Sequence, residues 1–208
     1  LGIPCIVGTK SRSHEATTSI KDGQMITVDA TNGIVYDGVL EDIVKKPEAQ
    51  VSTGAAAEYV PVTGTKIYMN LGDPDLAQKY GVLPCDGIGL MREEFIWTTF
   101  IHEHPLHLIE TGRSDFAVNT LAEGMRKVCQ ALAPRQVVVR LSDFKSSEYR
   151  DLKGGDKYEP HESSALLGWR GASRYYDPKY TPAFKLELEA INKVRNEFGF
   201  KNHNELAT

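Results

Sequence analysis

Three arginines stand where a small anion would be gripped. Arg92 ends the apolar run GIGLMR, Arg140 lies inside VVVRLSD, and Arg170 stands in LGWRGASRY between Gly168 and Gly171. The first two runs have the texture of buried strands. In a parallel β/α sheet or barrel, the loops at the C-terminal strand ends build the active site. A guanidinium placed there offers a planar fork of donors that suits carboxylate or phosphate, and the glycines beside Arg170 let backbone approach a bound group. Three such arginines suit a small, multiply charged anion. The competing reading of each is a strand-end arginine satisfied by an ordinary ion pair.

Other candidates are weaker. Ser142, Asp143 and Lys145, with Glu148 behind them, follow the VVVRL run, where they either orient a substrate or cap the turn. Lys153-Gly154-Gly155-Asp156-Lys157 lacks the GxxxxGK[ST] order of a phosphate loop and reads as a mobile surface loop. His102, His104 and His107 gather around Pro105, but spacings of two and three broken by proline do not form a helical metal face. His14, beside Glu15 in a polar stretch, reads as a solvated loop histidine. The carboxylates Asp86, Glu93, Glu94 and Asp143 identify no metal pair. Cys5, Cys85 and Cys129 are far apart with no CxxC, and read as free, mostly buried thiols of a reducing cytoplasm.

The elements that must position these groups follow from pattern. The first forty residues read as β-structure: PCIVG (4–8), then QMITVD (24–29), with Asn32-Gly33 as a turn before IVYDG. Residues 41–64 are polar, Ala-rich and punctuated by Pro47, Gly54, Pro61 and Gly64, and read as a linker. After Thr65, strands and helices alternate. TKIYMNL (65–71) is a strand, Asp73-Pro74 opens a helix to about Tyr80, and GIGLMR (87–92) is a second strand. Residues 94–110 are helical but interrupted at Pro105. Ser114–Leu132 carries an apolar stripe at Val118, Leu121, Met125, Val128 and Leu132, which fits one helix face. VVVRL (137–141) reads as a third strand buried on both faces. Residues 142–181 promise little regular structure. Ala183–Phe198 reads as a helix with Phe184, Leu188, Ile191, Val194 and Phe198 inward. The alternation predicts an α/β fold with parallel strands.

Composition excludes several classes. Hydrophobic residues make up 41% and charged residues 25%, an ordinary globular balance over 208 residues. The 24 Lys and Arg against 28 Asp and Glu give a net charge of −4, which argues against a nucleic-acid backbone binder. No apolar run approaches the ~20 residues of a membrane span. The opening LGIPCIVGTK has neither an initiator Met nor a basic-then-apolar leader, and reads as part of a longer protein.

Four segments, in this order, resemble the phosphoenolpyruvate synthase (pyruvate, water dikinase) family of phosphoenolpyruvate-utilising enzymes. LGIPCIVGT with DGQMITVDATNGIVYDG is similar to the end of that family's swivelling phosphohistidine domain. IYMNLGDPDLA resembles its first barrel strand and helix, and GIGLMREEFIW its LxRxEF signature. VVVRLSDFKSSEYRDLKGGDKYEP with LGWRGASRYY is the most specific; SDFKSSEY resembles the synthase rather than pyruvate phosphate dikinase or the sugar-transport Enzyme I. The resemblance covers nearly all of residues 1–200. One departure stands at Glu162–Gly168, where the family's EENPMLG is replaced by ESSALLG.

The resemblance implies an α/β chain in three parts. Residues 1–40 would be the β-rich C-terminal end of the phosphohistidine swivelling domain, 41–64 a linker, and 65–208 the N-terminal part of a (β/α)8 TIM barrel that binds phosphoenolpyruvate and pyruvate. It implies ATP as co-substrate, Mg²⁺ as cofactor, and phosphoryl transfer through a phosphohistidine to pyruvate, giving phosphoenolpyruvate, AMP and phosphate, as in gluconeogenesis. Arg92, Arg140 and Arg170 match the family's substrate-binding arginines. The phosphohistidine, the general acid and the metal ligands fall outside this chain on that reading, so no catalytic or metal residue is assigned within it. Pyruvate or phosphoenolpyruvate, the phosphohistidine domain of the parent chain and further copies in a homo-oligomer are the implied partners, with a cytoplasmic setting. The rivals are a piece of pyruvate phosphate dikinase and a non-catalytic anion-binding remnant. A (β/α)8 barrel needs roughly 250 residues, so residues 65–208 would hold three or four of its units. Such a piece alone is expected to be inactive and poorly stable, oligomeric or aggregation-prone. The ending KNHNELAT shows no apolar strand.

Overall fold

The computed structural model describes residues 4–9, 15–41, 63–162 and 168–206. The chain divides into two compact units, Leu1–Glu58 and Tyr59–Thr208.

In the first unit, Ile26–Asp29 (β1) and Ile34–Asp37 (β2) pair antiparallel, from Ile26↔Asp37 to Asp29↔Ile34, around the Asn32-Gly33 turn. Asp29 shapes that turn: its Oδ1 accepts from the N–H groups of Thr31 and Asn32 at 3.1 Å, and its Oδ2 from Asn32 Nδ2 at 2.7 Å. The buried positions of β1 are its polar ones, Thr27 and Asp29. The Thr27 hydroxyl donates to Gly38 O and accepts from Leu40 N. Two expectations are corrected. PCIVG lies in irregular backbone, and the polar stretch after His14 forms a single helical turn, Ala16–Ser19 (α1). His14 itself, and linker residues 42–62, lie outside the described residues.

The second unit is α/β. Tyr68–Leu71 (β3), Gly87–Arg92 (β4), Gln136–Arg140 (β5) and His203–Leu206 (β6) form one parallel sheet in the order β3-β4-β5-β6, each strand beside its successor in the chain. After β3, Asp73 Oδ1 accepts from Asp75 N at 2.9 Å, and Pro74 opens a 3₁₀ turn that runs into Ala77–Gly81 (α2). After β4 come Glu94–Ile96 (α3), a π-helical turn over Trp97–Ile101, Pro105–Glu110 (α4) and Ser114–Leu132 (α5). Pro105 breaks the helical stretch by starting a new helix, where its missing N–H costs nothing. Leu121, Met125, Val128 and Leu132 of α5 are buried as the stripe requires, and Val118 is half-buried. This helix packs along Thr181–Asn196 (α8) and beneath β5.

Several sequence expectations shift here. The β5 run is buried on one face only: Val137 and Val139 are enclosed, whereas Gln136, Val138 and Arg140 are half-buried. The inward face of α8 is Ala183, Leu186, Glu187, Ala190, Ile191 and Val194, leaving Leu188 44% exposed. Of the expected inward residues, Ile191 and Val194 are buried, Phe184 and Phe198 pack half-buried against the core, and Leu188 alone faces out; Glu187 is the inward residue that periodicity cannot see, held by hydrogen bonds to Ser142. Residues 142–181 contain Ser146–Arg150 (α6), a 3₁₀ turn at Gly155–Lys157 and Ala172–Tyr175 (α7). The glycine-rich stretch is a packed turn rather than a loose one: Gly155 is buried, and a Cβ there would collide with the Tyr149 carbonyl. The polar ending forms β6, since the exposed edge of β5 supplies a ladder from Val137↔His203 to Arg140↔Leu206. Asn202 fixes the approach by donating to Cys129 O and Arg135 O at 3.1 and 2.9 Å. Cys129 is buried, Cys85 half-buried and Cys5 exposed, so burial of the thiols is uneven. No helix among the described residues is long and apolar enough to cross a membrane.

Candidate anion site at the strand ends

Parallel pairing sets the C-terminal ends of β4 and β5 side by side, with Arg92 and Arg140 as register partners. Their side chains have different surroundings. Arg92 is exposed, with its guanidinium carbon 5.4 Å from the centre of the Phe95 ring. Arg140 is 16% exposed; it donates from Nη2 to Glu94, and its Nη1 lies 3.9 Å from Asp143 Oδ2. The Nε–H of Arg140 is buried without a hydrogen-bond partner among the described residues.

Arg170 reaches the same place from the loop before α7. Its Nε and Nη2 donate to Asp143 Oδ1 and Oδ2 at 2.9 and 2.6 Å, a two-pronged grip on a carboxylate. Gly171, at φ 57, turns the chain sharply behind it. Asp143 thus stands between Arg140 and Arg170. Glu94 completes the set: besides binding Arg140, it accepts the Asp143 N–H at 3.0 Å. Arg140 and Arg170 converge, and Arg92 stands beside Arg140 without joining either carboxylate. Ser142 and Glu148 are structural in place: Glu148 Oε2 accepts from Lys145 N at 2.8 Å to cap α6, and Ser142 faces the interior.

Beneath this floor lies a buried polar chain. Tyr180 OH donates to Tyr149 OH, Tyr149 lies 2.8 Å from Ser142 Oγ, and Ser142 Oγ donates to Glu187. Glu187 also accepts the Ser142 N–H at 3.2 Å, and Tyr175 OH donates to Ser142 O at 2.7 Å. Glu93, fully buried, faces Glu187. Burial first, and then the Glu187 charge, push the Glu93 carboxyl well above the usual carboxylate range. Burial also raises Glu187 to about 7, with its Ser142 hydrogen bonds pulling back. Two facing carboxyls cannot both ionise cheaply here, so burial and their mutual repulsion favour a protonated form of the pair.

The histidines around Pro105 do separate work. His102 closes the π-helical turn at φ 60, and His107 lies 3.8 Å from Glu103. His104 Nδ1 accepts from Leu106 N at 3.2 Å, so Nε2 carries the hydrogen that meets Glu159 at 2.9 Å. Burial lowers its pKa, in keeping with a neutral ring. Among the described residues no three His, Cys, Asp or Glu side chains converge to hold a metal. Sequence reasoning missed Glu187 and Arg174. The first is hidden as one of several charged positions on an amphipathic helix, and the second stands four residues beyond Arg170 with no signal but its charge.

The α/β unit falls within a recognised family. The family described as PEP-utilising enzyme, PEP-binding domain matches residues 46–204, and the chain belongs to that family. It is 56% identical over 210 residues to the "Probable phosphoenolpyruvate synthase" of Staphylothermus marinus, covering 97% of the chain and 25% of that protein. It is 52% identical over 209 residues to the phosphoenolpyruvate synthase of Aeropyrum pernix, with the same coverage of 97% and 25%. It is 38% identical over 224 residues to that of Escherichia coli, covering 97% of the chain and 27% of the relative. The chain spans about a quarter of the length of these relatives.

Proposed function

We propose that this chain supplies part of the site where a phosphoenolpyruvate synthase holds pyruvate and phosphoenolpyruvate, with Arg140 and Arg170 as the anion grip and Arg92 beside them. The observation that carries the reading is the shared Asp143. Two guanidinium groups from separate segments already meet on one carboxylate, and a third donor, Arg140 Nε–H, is buried and unused. A planar carboxylate or a phosphate presents the same oxygen geometry to these forks. Fixed positive charge at this point also favours an enolate over the neutral ketone, which is the charge stabilisation that phosphoryl transfer to pyruvate needs.

The parent reaction on this reading is transfer of phosphoryl from ATP, through a phosphohistidine on another segment, to pyruvate, with AMP and phosphate as the other products. The phosphohistidine domain, whose tail would be residues 1–40, and further copies of the parent chain are its partners, in the cytoplasm. Residues 65–208 would open the (β/α)8 barrel. Glu94 and Asp143, the carboxylates among the described residues of the site, are paired with Arg140 and Arg170, and this reading gives them no part in holding Mg²⁺. Its ligands belong on later strands, and the role assigned to this chain runs through its arginines alone.

Calorimetric titration with phosphoenolpyruvate tests the reading. Hydrogen bonds to charged groups contribute about 1.5–3 kcal/mol each, so Arg140→Ala is expected to weaken binding by roughly ten- to a hundredfold. Binding that survives Arg140→Ala and Arg170→Ala unchanged, or no binding by the parent chain, overturns it.

A further inference from the structure

We propose that Arg174 is a positioning residue for the anion site, fixing where Arg170 and Asp143 stand relative to each other. The proposal rests on the reading of Arg140 and Arg170 given above.

Arg174 is fully buried. Its Nη1 and Nη2 donate to Glu159 Oε1 and Oε2 at 2.5 and 2.8 Å, and three rings surround it: Trp169, Tyr149 and Tyr180, with centres 4.2, 4.5 and 4.8 Å from the guanidinium carbon. Burial works against the charge, yet Glu159 outweighs it and holds Arg174 ionised. His104 supports the pair by donating Nε2–H to the same Glu159.

The donors that remain do not serve the pair. Nε and Nη2 both donate to Trp169 O, at 3.2 and 2.8 Å, and Nη2 approaches Ser146 Oγ at 3.4 Å. The Trp169 carbonyl and the Arg170 nitrogen belong to one planar peptide unit. Fixing that carbonyl therefore fixes the plane from which the Arg170 side chain departs. On the other side of Trp169, its N–H donates to Glu162 at 3.0 Å. Ser146 opens α6, three residues beyond Asp143, and the Tyr149 ring stacked on Arg174 lies one turn further. One guanidinium thus ties the segment carrying Arg170 to the segment carrying Asp143. An apolar side chain would fill this volume as stably, but it has no directional bond to offer the Trp169 carbonyl on one segment and no charge to set against the Tyr149 ring on the other.

The test compares Arg174→Lys with Arg170→Ala and with Val194→Ala, which removes volume from the buried face of α8 and no hydrogen-bonding group. Two quantities are read: affinity for phosphoenolpyruvate, and hydrogen exchange of the Arg170 Nε–H that Asp143 holds, followed by ¹⁵N NMR. Arg174→Lys keeps the charge and loses the fork. It is expected to speed Arg170 Nε–H exchange about tenfold and weaken phosphoenolpyruvate binding about tenfold, whereas Val194→Ala melts earlier but leaves both within twofold. Retention of both by Arg174→Lys overturns the proposal, and so does an equal loss in Val194→Ala. If the parent chain fails to bind phosphoenolpyruvate, the anion reading falls while the exchange measurement still decides the positioning role. Should Arg174→Lys not melt cooperatively, Glu159→Gln, which loosens Arg174 without removing it, is read in the same way: faster Arg170 exchange supports the proposal, unchanged exchange overturns it.

Discussion

Arg170 and Arg174 lie four residues apart and each grips a carboxylate with two prongs, Arg170 through Nε and Nη2 and Arg174 through Nη1 and Nη2, yet one guanidinium is open to solvent and the other sealed. The Arg170 side chain is 36% exposed, and its partner Asp143, 12% exposed, keeps Arg140 3.9 Å away as a second cation if an anion takes Arg170 from it. Arg174 and Glu159 are both fully enclosed, so neither can change partner without stranding the other. Two arginine–carboxylate forks therefore serve two ends. Exposure makes a grip exchangeable, and burial makes it a fixture.

Melting experiments on single variants put that contrast to the test. Arg174→Ala strands Glu159 and is expected to cost about 3–5 kcal/mol, roughly 6–20 °C in melting temperature for a chain of this size. Arg170→Ala should cost less, about 1–3 kcal/mol, because Arg140 still stands 3.9 Å from Asp143. Equal losses in the two variants would erase the distinction.

The carboxyl pair under the site gives the next effect. Glu187 has a folded pKa of about 7 against an ordinary 4.5. A raised carboxyl pKa contributes stability that is fully present below about pH 4.5 and is lost as pH rises through about 7, up to about 3 kcal/mol. His104, lowered by burial, pulls the opposite way below its ordinary 6.5. The difference between the parent and Glu93→Gln, whose amide mimics the protonated acid, isolates the pair. Melts between pH 5 and 8 should show a shallower decline in Glu93→Gln and a higher melting temperature at pH 8. Parallel curves would remove the shared proton from the account.

The smallest effect tests the facing of α8. Leu188→Gln should change stability by no more than about 0.5 kcal/mol, as for an ordinary surface position. A loss like that of a buried leucine, about 2–5 kcal/mol, would return Leu188 to the core.

These contrasts also mark where sequence reading succeeds. The α5 stripe is legible because apolar burial repeats every three or four residues, and Asp73-Pro74 and Pro105 are legible because their effects are local. The strand-end locations of Arg92 and Arg140 follow from the apolar runs that hold them. Glu187, Arg174 and β6 were hidden for one reason. Each is a polar residue or segment whose place depends on a partner far along the chain: Ser142 for Glu187, Glu159 for Arg174, the open edge of β5 for His203–Leu206. Hydrophobic periodicity carries no record of such pairings. The packed Gly154-Gly155 turn was obscured in the same way, since the Tyr149 carbonyl that demands a glycine at Gly155 lies on another element.

The most direct test of the anion grip is a phosphoenolpyruvate titration in which the Nε–H signals of Arg170 and Arg174 are followed together by ¹⁵N NMR. The Arg170 signal should shift and saturate as Asp143 yields to the ligand, while the buried Arg174 signal stays in place. An Arg170 signal that does not move, or two signals that move alike, would contradict the account.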